Sequence, residues 1–182
     1  MRLPLLKTEL RQLIRLAGPL VAAQAGTQVM TLVDLAVLGR LGARELAAAG
    51  LGSAIFFTIS VVGFGLVFGV DPLISQAFGA GDPVRARHVL WQGVWLTLGA
   101  TLVLSVPLVL VAAIVPHFGM TGTVGHLTVV FILWRTAGLA PLLLFLVGRS
   151  YLQAQHITRP MIVTMIAGNI WNFLSDLVLV FD

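Results

Sequence analysis

Two apolar stretches of this 182-residue chain carry side chains that lipid penalises. Asn169, Asn172 and Asp176 stand in GNIWNFLSDLVLVFD at residues 168–182. At about 100° per residue they fall within about 60° of one another on a helix. Gln24, Thr27, Gln28, Thr31 and Asp34 make a second stripe, about 120° wide by the same rule. Polar side chains at this depth must face protein or water rather than lipid. Two carboxylates in one low-dielectric pocket cannot both stay charged without a cation. Either one takes up a proton or Na⁺ sits between them, with amide and hydroxyl oxygens as hard neutral ligands. Such a site loads and unloads H⁺ or Na⁺ as its surroundings alternate between wet and dry. That links an ion gradient to a conformational change.

The elements that must position these residues are membrane spans. Hydrophobic residues make up 58% of the chain and charged residues 10%, where a soluble domain has about a quarter charged. Mean hydropathy is +1.01. The chain reads as an all-α, polytopic membrane helix bundle. About 20 apolar residues cross a bilayer core, and five segments qualify, over residues 16–38, 46–78, 89–115, 124–147 and 160–182. Residues 1–15, with Lys7, Arg11 and Arg15 at every fourth position, read as an amphipathic helix on the membrane surface. They lack the pattern of a cleaved signal peptide. Pro83, after Gly79, Gly81 and Asp82, predicts a stop to one helix and the start of the next.

Orientation follows from the basic residues. Arg2, Lys7, Arg11, Arg15, Arg85, Arg87, Arg149 and Arg159 fall on one side of this topology, and only Arg40 and Arg44 on the other. The first side is expected to be cytoplasmic, with the amino terminus inside. Arg135 lies within the fourth apolar segment and stays unassigned. On this topology Asp34 lies about 27 Å from the inner boundary and Asp176 about 24 Å. Gln28 and Asn172 both come out near 18 Å. Helices running in the same direction thus present carboxylates and carboxamides at matching heights, as one shared site requires.

The composition excludes other classes. The chain has no cysteine, so no disulfide, iron–sulfur cluster or thiolate zinc site can form. The net charge of +4 is spread between apolar runs as topology signals are, not clustered as a nucleic-acid surface. There is no G-x-S-x-G, H-E-x-x-H or Walker loop, so an enzyme is not expected and neither is a cofactor beyond the coupling ion. His88, His117, His126 and His156 read as surface residues. Gly63, Gly65 and Gly69 permit close helix approach. Pro19, Pro107 and Pro141 interrupt three spans, each a place for a kink. Asp71, before Pro72, is either solvated at the inner interface or part of an internal gate.

Four stretches carry a family resemblance. AGPLVAAQAGTQVMTLVDLAVLGRLGARELAAAGLG, DPLISQAFGAGD, GRSYLQAQHITRPM and GNIWNFLSDLVLVF resemble, in that order, the first five helices of MATE (multidrug and toxic compound extrusion) transporters. The resemblance implies half of a two-lobe, twelve-helix antiporter of the bacterial inner membrane. It implies export of cationic or amphiphilic compounds in exchange for H⁺ or Na⁺. Asp34 matches the family's first-helix aspartate. Asn172 and Asp176 match its fifth-helix pair, and Asn169 a further asparagine. A Na⁺ would then sit at Asp34, Asn172 and Asp176. Pro19 matches a first-helix proline at which bending is proposed to accompany proton uptake. The match stops before the sixth helix, so the carboxy-terminal lobe is a missing partner and the chain alone is expected to be inactive. Asp71 stands where several relatives are uncharged.

Three alternatives stay open on the sequence. A lipid-linked precursor flippase of related fold would want a cationic cavity, and these stripes are acidic and amidic. A membrane-embedded enzyme would need a nucleophile–base pair or metal triad. A non-transporting bundle would use the polar stripes only as interhelical hydrogen bonds, for which a carboxylate is a costly choice.

Overall fold

The computed structural model describes residues 3–118, 122–157 and 159–181. It is all-α, with no strand among the described residues. The helices are α1 (Leu3–Leu41), α2 (Ala43–Gly79), α3 (Pro83–Ile114), α4 (Thr123–Ala137), α5 (Leu139–Ala154) and α6 (Arg159–Phe181). A 3₁₀ turn, Val115–Phe118, follows α3. By length and composition, α2 and the run Pro83–His117 can each cross a membrane, and α4 with α5 can form a third, bent span. The chain divides into two compact units, residues 1–41 with 158–182, and residues 42–157.

In the 42–157 unit, α2 packs against α3, α4 and α5. Its buried residues, from Ala48 through Phe56, Gly63 and Val67 to Ile74 and Ala77, recur every three or four positions and form one stripe. Phe56, Val67, Leu104, Leu108, Ile132, Leu139, Leu143 and Val147 make the core. Large apolar residues such as Phe57, Trp95, Leu102 and Trp134 lie exposed on the outer faces, as lipid contact demands. Small residues bring the helices together. A Cβ at Gly63 would stand 3.0 Å from Leu104 and 3.1 Å from Leu143. Gly65 and Gly69, expected to serve the same purpose, have open space at that point, because they sit off the buried stripe.

The stop between α2 and α3 has the predicted chemistry. Gly81, at φ 73°, takes the left-handed conformation that glycine tolerates. Its N–H donates to the Phe78 carbonyl, and that of Asp82 to Ala77, the paired bonds of a Schellman end. The Asp82 carboxylate then accepts from the Arg85 N–H at 2.9 Å, capping α3, with Pro83 in its first turn.

Two elements differ from expectation. Where a surface helix over residues 1–15 and a span from residue 16 were expected, α1 runs unbroken from Leu3 to Leu41 with Pro19 inside it. The fourth apolar segment, expected as one span over 124–147, is two helices bent by 41°. The proline at position 141 has no N–H to give the Ala137 carbonyl, and its ring crowds that oxygen. The helix therefore ends at Ala137 and restarts after Gly138, which puts Pro141 in the first turn of α5, where proline is tolerated.

Candidate coupling site

The residues 1–41 and 158–182 unit holds both stripes. Its two helices, α1 and α6, pack against each other. At their contact a Cβ on Gly26 would stand 3.7 Å from Asn169 Nδ2, and the Thr27 hydroxyl lies 3.8 Å from Met165 Sδ. At that distance a Cβ on Gly26 would make ordinary van der Waals contact with the Asn169 carboxamide. One member of each stripe, Thr27 and Asn169, thus lies at the contact of the two helices.

Burial along the stripes is uneven. Asp34 and Asn169 are half-buried. Gln24, Thr27, Gln28, Thr31 and Asn172 are exposed within this chain. Thr31 donates its hydroxyl back to the Thr27 carbonyl at 3.1 Å, a bond that satisfies the hydroxyl inside its own helix. The side chains of Pro19 and Asp176 lie outside the described residues. Beyond the Gly26–Asn169 contact, Asp34 is about 12 Å further along α1, and position 176 about 10 Å further along α6.

The 42–157 unit holds a second polar feature that periodicity could not reveal. Asp71 of α2 is half-buried and accepts a hydrogen bond from the Ser150 hydroxyl of α5. These residues stand seventy-nine positions apart, so no local pattern links them. The hint was that Ser150 sits in the GRSYLQAQ stretch that carries the resemblance. The unassigned Arg135 also finds a place. Its guanidinium carbon lies 5.1 Å from the Phe56 ring centre and 5.5 Å from that of Phe131, distances at which aromatic faces attract a cation.

Comparison with known proteins concerns the chain as a whole. The sequence model of the MatE family matches residues 19–178. A probable multidrug resistance protein NorM from Deinococcus radiodurans is 33% identical over 168 residues, covering 91% of this chain and 37% of that protein. The Synechococcus protein of the same name is 33% identical over 186 residues, covering 98% of this chain and 39% of its own length. One from Bradyrhizobium diazoefficiens is 43% identical over 93 residues, covering 51% and 20%. The chain thus spans less than two fifths of the length of the first two. No solved structure matches it.

Proposed function

Because the chain belongs to the MATE family, we propose that it is the amino-terminal lobe of an ion-coupled exporter of cationic and amphiphilic compounds. Its membership and apolar helices make it a multi-pass membrane protein. The proposal adds that the amino terminus is cytoplasmic, that the membrane is the bacterial inner membrane, and that the lobe needs a second lobe to alternate access. Relatives more than twice its length support the last point.

One observation carries the coupling mechanism: the contact of α1 and α6 at Gly26 and Asn169. If both helices run from the inner to the outer face, as the basic residues imply, that contact supports a common register. Asp34 and Asp176 then stand at matching heights, about 12 and 10 Å beyond it. Asp34 and Asp176 are the coupling carboxylates, and Asn169 and Asn172 supply amide oxygens to the ion or amide hydrogens to the acids. Loaded with H⁺ or Na⁺, the pair sits together. Unloaded, the like charges repel, and α1 yields at Pro19, where one helix hydrogen bond is missing. A membrane potential contributes about 2.3 kcal/mol per charge per 100 mV, a bias of about fiftyfold between two states.

The test is ion exchange read with a pH indicator on the chain in lipid nanodiscs. Adding Na⁺ or an organic cation should release protons from the wild type. Asp34→Asn and Asp176→Asn should each abolish the release, because either removes the shared site. In the complete exporter, Asp34→Asn should abolish efflux while leaving insertion intact. Undiminished proton release from either variant, or undiminished drug resistance, contradicts the proposal.

A further inference from the structure

The proposed coupling chemistry leaves a cavity of the 42–157 unit unused. This cavity, of about 630 Å³, is walled by Asp71, Ser75 and Phe78 of α2 and by Ser150, Gln153 and His156 at the end of α5. Its volume is that of a site for a drug-sized molecule. Among the described residues that line it, Asp71 is the one formally charged, and neither lysine nor arginine is present.

A carboxylate on an apolar helix is costly unless something answers its charge. Ser150 answers it only in part. Ser150 is buried, at 9% exposure, and its hydroxyl lies against Asp71 Oδ1 and 3.0 Å from the Leu146 carbonyl. A neutral hydroxyl orients the carboxylate but does not cancel its charge. Phe78 is held in place beside it, its ring 5.3 Å from that of Tyr151 and tilted by 57°. An aromatic face attracts cations and covers apolar groups. His156 closes the wall from a left-handed turn, φ 58°, where glycine is the usual occupant.

We propose that this cavity is a binding site for a hydrophobic organic monocation, with Asp71 pairing its charge and Phe78 covering its apolar body. Asp71 lies about 12 Å before the end of α2, so the site sits near the inner face in the orientation proposed above. It rests on the exporter reading in one respect, that the bound cation is cargo on its way to export.

The experiment is equilibrium binding of tetraphenylphosphonium to the chain in phosphatidylcholine nanodiscs, with tetraphenylborate as an anion of the same shape. The wild type should bind the cation saturably at one site and show no saturable binding of the anion. Asp71→Asn should weaken cation binding by about tenfold or more, and Asp71→Glu should restore it. Phe78→Ala should weaken it by about threefold. Absent saturable binding by the wild type, equal binding of the anion, or undiminished binding by Asp71→Asn would overturn the site. So would equal loss in the Asn and Glu variants, which would make Asp71 a structural residue. The two readings fail separately. Undiminished binding by Asp71→Asn sinks this site and leaves coupling at Asp34 untouched. Retained proton release in Asp34→Asn sinks the coupling and leaves this site standing.

Discussion

Single residues in this chain show how a membrane helix treats polar atoms. Thr97 and Thr128 are buried, and their hydroxyls donate to the carbonyls of Val94 and Val124 on their own helices, at 2.9 and 2.8 Å. Such bonds satisfy a hydroxyl without any neighbour, so a threonine in an apolar run says little about function. Ser60 is different. It is fully buried on α2, and its Oγ has no hydrogen-bond partner among the described residues. An unmet buried hydroxyl costs about 1–3 kcal/mol. Ser60→Ala should therefore raise thermal stability in detergent, by about 1 kcal/mol. A fall in melting temperature would show that the hydroxyl is satisfied in the membrane. Aspartates stand apart from both cases, since no backbone carbonyl of their own helix can receive a carboxylate. That is why Asp34, Asp176 and Asp71 were conspicuous in the sequence and the buried threonines were not.

At the scale of elements, the turn between α2 and α3 was legible because glycine, aspartate and proline each impose a backbone geometry locally. The break between α4 and α5 was not. Residues 124–147 are apolar throughout, so hydropathy runs across the break without a dip, and only the missing N–H of Pro141 decides where the ladder stops. Helix contacts were half legible. Glycines stood out, but which of them face a neighbour depends on the buried stripe. Gly52 does: a Cβ there would fall 2.6 Å from Phe131 Cδ1, on a ring that also carries the Arg135 guanidinium. Gly52→Ala should push Phe131 aside and cost about 1–3 kcal/mol in packing, against about 1 kcal/mol regained in helix propensity. Gly65→Ala, with open space around it, has only the gain. Thermal unfolding of the two variants side by side should show Gly52→Ala below the wild type and Gly65→Ala at or above it. The reverse order would mean that α4 packs elsewhere on α2.

For the whole molecule, the class of protein was plain from composition, because a chain with 10% charged residues and 58% hydrophobic ones has too few charges to coat a soluble surface. The polar stripes were readable because 3.6-residue periodicity survives in any helix. That α1 packs on α6 was not in the sequence, as the two lie at opposite ends of the chain and only tertiary contact unites them. The same holds for Asp71 and Ser150. The proposed coupling at Asp34 and Asp176 depends on one relation, the register of α1 on α6, and the absence of cysteine from the chain allows it to be read directly. Disulfide formation needs Cα atoms within about 7 Å. Membranes carrying the double variant Asp34→Cys with Asp176→Cys should form an oxidised crosslink in high yield. So should Gly26→Cys with Asn169→Cys, which marks the contact already seen, whereas Asp34→Cys with the exposed Trp171→Cys should not. A crosslink at 26–169 but none at 34–176 would place the two carboxylates apart and contradict a shared ion site.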